Sequence, residues 1–391
     1  MAIGKVLFTL LVGVVMGGIP HRGALAHMPA SPPATQSKQC ILVDITTGEG
    51  KVLFEKSPDE LIHPSSMTKI MTVYLVFQRL KSGRLKMEDT LPVSKEAWKM
   101  QGSKMFVDIN SSVSISDLLR GTIVQSGNDA TVVLAEGLGG TEAEFASEMT
   151  RVARQMGAKD STFMNASGWP DPYHRSTVRN LAIIAMRTIQ DFPEYFPLYS
   201  EKEFTYHGIR QSNRNPLLYT GLKADGLKTG HTEAGGYGLV ASATQNGRKL
   251  VLVATGYKSM DERAKDTEML MHWGFRETKL VPLYKAYAEV TKTGVWQGVS
   301  PTVSLVSPKA LAMVVPRSVA QDMKVDILYH SQVKAPVKKG TMAGKLVVTI
   351  PGMPLLEYPL VTGEDVPLAG LWARAMTGVA SFLSGKGRGE E

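Results

Sequence analysis

The chain has 391 residues, 43% hydrophobic and 20% charged, enough to bury a sizeable core and unlike a disordered composition. Its length favours two domains over one. The formal charge of +8 comes from 44 basic and 36 acidic residues without a basic block interleaved with aromatics, which argues against nucleic acid and leaves anionic lipid or an acidic polymer as partners.

Lys5 precedes an apolar run over residues 6–19 and a small-residue pattern, Ala24-Leu25-Ala26. The run falls short of the roughly 20 residues of a membrane span, so residues 1–26 read as a secretory signal, with an uncleaved anchor as the alternative. Cys40 is the single cysteine, so no intrachain disulfide can form. An exported chain without disulfides points to a bacterial envelope. Residues 27–38, rich in Pro, Ala and Ser, predict a loose leader.

Residues 40–45 and 51–55 predict a hairpin around Thr46-Thr47-Gly48-Glu49-Gly50. Pro64-Ser65-Ser66 then opens a helix to about residue 81, with Ser65 as its cap and Ile70, Met71, Val73, Tyr74, Val76 and Phe77 dense enough for burial. Residues 115–158 are helical in pattern, broken by Ser126-Gly127-Asn128-Asp129. Within them Phe145, Met149, Val152 and Met156 recur at helical spacing. Residues 160–175 predict a loop and 178–189 an amphipathic helix. After a run at 204–209 come strands at 237–244 and 249–255, joined by the hairpin signal Gln245-Asn246-Gly247-Arg248. A helix over 260–273 should pack back on that sheet. Beyond residue 278, short runs at 287–291, 302–306, 325–328 and 346–350 predict a small all-β domain.

Three segments can carry chemistry. On a helix, residues three apart are neighbours, so the Lys69 amine can reach the Ser66 hydroxyl. A buried amine has its pKa lowered, which pairs a serine nucleophile with a base. Alone, Ser-x-x-Lys far more often describes a capping serine and a surface lysine, and Ser331-Gln332-Val333-Lys334 repeats it. Ser126-Gly127-Asn128 offers a hydroxyl to relay a proton and an amide to bind a carbonyl, or simply a turn. Lys228-Thr229-Gly230 offers a cation and a hydroxyl for a carboxylate, with a glycine that lets backbone approach. Lys292-Thr293-Gly294 repeats it, but only the first triplet leads through Glu233-Ala234-Gly235-Gly236 into the hairpin.

Jointly, Ser66-Met67-Thr68-Lys69, Ser126-Gly127-Asn128 and Lys228-Thr229-Gly230 resemble the penicillin-recognising serine acyl-transferases. Among these they look most like the low-molecular-mass penicillin-binding proteins that are D-alanyl-D-alanine carboxypeptidases. The strings over 63–72, 125–130 and 225–232 carry the likeness, which spans about 38–275 and extends more loosely to the C-terminus. It implies an α+β fold: a β-lactamase/penicillin-binding-protein-like catalytic domain (39–277), with an antiparallel sheet flanked by helices. A small all-β domain (278–362) and an amphipathic C-terminal helix (363–391) follow.

The resemblance also implies roles. Ser66 would be the acylated nucleophile and Lys69 its base. Ser126 and Lys228 would relay protons and fix substrate, with Thr229 and Gly230 beside them, and Asn128 would hold the substrate amide. The backbone N–H groups of Ser66 and His231 would form the oxyanion hole. Arg263 matches in position an arginine near the substrate's terminal carboxylate, though a surface arginine at a charged helix start reads as well. The implied reaction removes the terminal D-alanine from peptidoglycan stem peptides ending in D-Ala-D-Ala, with β-lactams as covalent inhibitors and without metal or organic cofactor. The alternatives are a D,D-endopeptidase cutting crosslinks and a weakly active, membrane-attached stem-peptide binder.

A β-lactamase would need a deacylating glutamate in the loop after Ser126-Gly127-Asn128. Residues 160–180 hold Asp160 and Asp171 but no glutamate, so penicillin turnover should be slow. The eight histidines show no zinc-ligand spacing, which disfavours a zinc peptidase, and His174, His207 and His272 read as structural or surface residues. At the C-terminus, Leu368, Leu371, Trp372, Ala375, Val379, Phe382 and Leu383 form one helical face after Pro367, with basic Lys386 and Arg388 beyond. Such a helix suits a membrane surface, or packing on its own domain. Family resemblance favours the membrane reading: a periplasmic enzyme held at the outer face of the inner membrane.

Overall fold

The structure, a computed structural model, describes residues 3–8 and 33–375. It forms two compact units. One is Pro32–Arg276; the other begins at Glu277 and takes in the strand Ile3–Phe8.

The first unit is built on a five-stranded antiparallel sheet. Its strands are β1 (Gln39–Asp44), β2 (Lys51–Lys56), β3 (Ala224–Thr232), β4 (Gly236–Gln245) and β5 (Arg248–Tyr257), in the order β2-β1-β5-β4-β3. The near-continuous apolar runs of β1 and β5 arise because both faces of the sheet are covered. Successive side chains point to opposite faces, so Ile41, Val43, Val240, Val251 and Val253 join one core. Cys40, Leu42, Leu239, Ala241, Leu250 and Leu252 join another. Asn246 and Gly247, both at positive φ, turn β4 into β5 as the Asn-Gly signal predicts.

The longer helices are α1 (Lys69–Lys81), α2 (Ile115–Ile123), α3 (Asn128–Gly139), α4 (Glu142–Gln155), α5 (Val178–Asp191) and α6 (Met260–Glu277). Leu270, Met271 and Phe275 of α6 fill the second core, and a Cβ at Gly274 would lie 2.8 Å from Leu42, so α6 lies directly on the sheet. α1 runs through the first core, with every residue from Lys69 to Phe77 buried. The Phe77 ring meets Phe192, Tyr195 and Tyr199 at 5.7, 5.3 and 6.3 Å.

Three expectations need correction. The N-terminal segment is not loose to residue 38: Thr35 Oγ1 donates to Asp266 at 2.6 Å, and the Lys38 N–H donates to the Thr255 carbonyl. Ile3–Phe8 of the expected signal is a strand pairing with Lys324–His330, and residues 9–32 of the expected signal and leader lie outside the described residues. Ser65 is not a cap. It stands at φ +48° and begins a 3-10 turn, Ser65–Thr68, that precedes α1. The helical stretch 115–158 is three helices, α2 to α4.

The second unit is a seven-stranded sheet in the order Ile3–Phe8, Lys324–His330, Met342–Thr349, Leu356–Thr362, Thr302–Val306, Glu289–Trp296, Gln332–Lys334. Thr278–Tyr284 pairs separately with Leu311–Pro316. Leu305, Val315, Leu346, Val348 and Leu360 are buried at its core. Residues 371–375 are helical, with Leu371 and Trp372 exposed. Val379, Phe382, Leu383, Lys386 and Arg388 of the expected amphipathic helix lie outside the described residues.

Phe77→Ala empties the centre of the aromatic group and should destabilise the first unit by about 3–5 kcal/mol. Urea unfolding of the purified chain measures this, and a loss under about 1 kcal/mol would contradict the packing.

Candidate active site

The 3-10 turn Ser65–Thr68 places Ser66 just ahead of α1, and Lys69 opens that helix. Lys69 Nζ lies 2.9 Å from Ser66 Oγ, 2.7 Å from Asn128 Oδ1 and 2.8 Å from the Ser167 carbonyl. Its side chain is fully buried. Burial, aided by the Arg214 cation, pushes the Lys69 ammonium down to about 7, against the opposing pull of Asp129 and Glu142.

Ser126 falls in the break between α2 and α3, at φ +60°. Asn128 opens α3, and its Nδ2 donates to the Gln101 carbonyl at 2.7 Å. Asp129 accepts from the backbone N–H groups of Met105, Phe106 and Val107 at 2.9, 2.8 and 3.3 Å. Those bonds clip residues 101–107 against the start of α3, and with them Ser103.

Lys228, Thr229, Gly230 and His231 lie on β3, an edge strand. A Cβ at Gly230 would clash with Ser65 Oγ and stand 3.1 Å from the Pro64 carbonyl, so glycine is what lets the Ser65–Thr68 turn lie on the strand. On the other side, Gly168 at φ +78° packs so closely that a Cβ would overlap the Ser65 carbonyl.

Ser66, Ser103 and His231 line two connected cavities. One, of about 500 Å³, also takes in Ser126, Arg214, Thr229, Gly230 and Arg263. The other, of about 520 Å³, takes in Asn128, Gly168, Trp169, Asp171 and Glu233. Arg263 is buried, which removes the surface-arginine alternative. Its guanidinium carbon sits 5.9 Å from the centre of the Tyr237 ring, and its Nε has no hydrogen-bond partner among the described residues. His231 stacks on the same ring at 3.9 Å. Lys228 is buried too, and burial first, then the cations Lys69, Arg214 and Arg263, push its ammonium well below the ordinary lysine value. Lys228 Nζ donates to the Thr229 carbonyl at 3.2 Å. Among the described residues no hydrogen bond joins Lys228 or Ser126 to Ser66.

The competing motifs lie elsewhere. Ser331-Gln332-Val333-Lys334 is extended, not helical, and Gln332–Lys334 pairs in parallel with the strand carrying Lys292-Thr293-Gly294. The two decoys neighbour each other in the β-rich unit. His174 is structural as expected. Its Nδ1 accepts from the Met164 N–H at 3.2 Å, which leaves the proton on Nε2, 2.9 Å from Thr68 Oγ1. Burial pushes its imidazolium down to about 4. His207 and His272 are half exposed beside Asp108 and Glu268. Sequence reasoning missed Ser103, Trp169 and Arg214, which no motif announces. Arg214 Nη1 donates to Ser103 Oγ at 2.5 Å.

Residues 26–259 match the D-alanyl-D-alanine carboxypeptidase family, and residues 279–368 match the C-terminal domain of penicillin-binding protein 5. The chain is 37% identical to the D-alanyl-D-alanine carboxypeptidase DacC of Escherichia coli over 89% of either chain. Penicillin binding protein 5 of Haemophilus influenzae superposes with a TM-score of 0.79 at 35% identity, covering 86% of this chain and 99% of that one. Penicillin-Binding Protein D2 of Listeria monocytogenes, solved with ampicillin bound, matches at 26% identity and a TM-score of 0.57, over 62% and 98%. Placed beside these relatives, with the first unit spanning one matched region and the β-rich unit the other, the chain belongs to the D-alanyl-D-alanine carboxypeptidase family.

Proposed function

We propose that the protein is a serine D-alanyl-D-alanine carboxypeptidase that trims peptidoglycan stem peptides through an acyl-enzyme on Ser66. The observation that carries this is a fully buried Lys69 amine within hydrogen-bond reach of the Ser66 hydroxyl. Ser66 Oγ attacks the carbonyl of the penultimate D-alanine while neutral Lys69 takes its proton. The oxyanion that forms is stabilised by the N–H groups of Ser66 and His231. Asn128 holds the substrate amide. Its Oδ1 already receives Lys69, so it orients the base as well. Ser126 passes the proton to the departing nitrogen, the peptide bond breaks and D-alanine leaves. Lys228, Thr229 and Arg263 hold the carboxylate of that D-alanine, with Arg214 facing the same cavity. Water then adds to the ester and frees Ser66.

β-Lactams acylate the same serine. The residue-160–180 loop supplies no glutamate, so the penicilloyl ester turns over slowly. Asp171 accepts from the Tyr173 N–H at 2.7 Å, within its own loop. Export by residues 1–26 would place the enzyme in the periplasm. Residues 363–391 would then hold it at the outer face of the inner membrane. Exposed Leu371 and Trp372 support that attachment, and among the described residues no helix is long and apolar enough to cross a membrane.

Fluorescent penicillin should label the chain covalently. Ser66→Ala should abolish labelling and Ser331→Ala should leave it intact; labelled Ser66→Ala would refute the assignment. Release of D-alanine from a peptide ending in D-Ala-D-Ala identifies the carboxypeptidase, whereas cleavage of crosslinked muropeptides alone would identify the endopeptidase.

The acylation rate should rise with pH through about 7, because an amine still protonated below that value cannot accept the serine proton. A profile flat from pH 5.5 to 8.5 would remove Lys69 as the base. Arg263→Ala should lower kcat/KM for D-Ala-D-Ala peptides about tenfold or more, the cost of losing a charge-assisted hydrogen bond. An unchanged kcat/KM would take Arg263 out of the carboxylate site.

A further inference from the structure

Lys69 can act as a base only if its lone pair faces Ser66. A neutral amine has two N–H donors and one lone pair. Two acceptors placed away from Ser66, Asn128 Oδ1 at 2.7 Å and the Ser167 carbonyl at 2.8 Å, take both donors. The third direction, toward Ser66 Oγ at 2.9 Å, is then left to the lone pair. The position of the Ser167 carbonyl therefore decides whether the amine is aimed correctly.

That carbonyl belongs to a loop with no regular secondary structure over residues 163–168. Asn165 Oδ1 accepts from the Gly168 N–H of the same peptide unit at 2.8 Å and braces it from within, and contacts from outside anchor the braced loop to the rest of the fold. The preceding residue, Ala166, is gripped on both sides. Its carbonyl accepts from Thr72 Oγ1 at 2.6 Å, one helical turn beyond Lys69. Its N–H donates to Glu142 Oε1 at 3.0 Å. Glu142 is the first residue of α4, where an acid ordinarily serves the helix dipole. Here Thr141 caps the helix by accepting from the Glu144 N–H, and the Glu142 side chain reaches across to the loop. No glutamate within residues 160–180 faces the nucleophile, yet one from outside that window supports the loop.

We propose that Glu142 is a positioning residue for the general base: by holding the Ala166 amide it sets the Ser167 carbonyl that orients the Lys69 amine toward Ser66. The inference rests on the assignment of Ser66 as nucleophile and Lys69 as base. The carboxylate also acts through its charge. It favours the Lys69 ammonium, as Asp129 does, while Arg214 opposes both. Glu142 in turn is held up by burial and by Glu136, and eased by the Ala166 N–H and by Lys69.

The two effects separate in two substitutions. Glu142→Gln keeps an oxygen for the Ala166 N–H and removes the charge; Glu142→Ala removes both. Acylation of the full chain by fluorescent penicillin, followed from pH 5.5 to 8.5, should slow about tenfold or more in Glu142→Ala, a cost typical of a misaimed catalytic group. Glu142→Gln should recover most of that rate. Its ascending limb should lie at lower pH than in the wild type, because the amine has lost a neighbouring anion. Wild-type rates and midpoint in Glu142→Ala would overturn the proposal. So would a Glu142→Gln protein as slow as Glu142→Ala with an unmoved midpoint, since that pattern belongs to a residue that only stabilises α4. Should thermal melting show Glu142→Ala unfolded, Glu142→Asp, which keeps the charge but is too short to reach the Ala166 N–H, decides in its place, and a wild-type acylation rate there sinks the idea. A wild-type chain that penicillin does not acylate would instead remove the serine-enzyme reading itself.

Discussion

The site depends on an amine buried without a carboxylate in hydrogen-bond contact. A lysine ammonium taken out of water normally keeps its charge by pairing with an acid, since an uncompensated buried charge is too costly to hold. Around Lys69 the hydrogen-bond partners are instead a hydroxyl, an amide oxygen and a backbone carbonyl. The nearby acid that could have paired with it, Asp129, spends its oxygens on backbone N–H groups of residues 105–107. An ion pair there would have locked the proton on the amine. Neutral partners leave it free to go, and the same Asp129 carboxylate shapes the wall that carries Ser103.

Close packing around Ser66 supplies the second constraint. The Ser65–Thr68 turn lies between β3 and the residue-163–168 loop, with Gly230 on one side and Gly168 on the other, neither with room for a methyl group. Ser65 and Ser126 both adopt left-handed backbone, which costs a non-glycine residue about 1–2 kcal/mol. Of these two, Ser65 flanks Ser66 and Ser126 faces the cavity Ser66 lines. The surroundings hold them there: the Met67 N–H bonds the Pro64 carbonyl, and the Gly127 N–H bonds the Gly121 carbonyl beside Ser126. The core helices and sheet absorb strain that the turn could not sustain alone.

These features explain what was legible in the sequence. The strands β4 and β5, the Asn-Gly turn and helices α4 to α6 follow from periodicity, because local pattern and burial agree there. Ser66 and Lys69 could be paired from helical spacing, and Gly230 from the need for close backbone approach. Ser65 was misread because a serine after proline usually caps, whereas here the chain enters α1 through a 3-10 turn. Thr35 and Asp266 could not be paired, since a hydrogen bond across that separation leaves no periodic trace. Arg214 and Ser103 stayed hidden for the same reason, as did Glu142, which a search confined to residues 160–180 passes over. In the β-rich unit several strands escaped notice: Thr278–Tyr284 and Leu356–Thr362 carry an internal proline, which weakens a strand signal. The two decoy motifs were separable only by context, and their strands pair with each other in parallel, so neither lies on a helix.

The charges around the cleft tie these constraints together. Arg214 and Arg263 face one cavity with Ser66, both act on the buried Lys228 ammonium, and Arg263 Nε is buried with no partner among the described residues. Buried polar groups ordinarily find partners, so a cationic group left wanting one marks the place for an anion from outside. A carboxylate on the departing residue of the substrate meets that need. Its arrival brings a negative charge into a field that otherwise helps keep Lys69 neutral; its departure with the leaving group restores that field. The base would then be most easily deprotonated once D-alanine has gone, when a water must be activated to release the ester. On the proposed roles, recognition of the terminal carboxylate and control of the base would be one electrostatic arrangement, and a peptide lacking that carboxylate would lose more than binding.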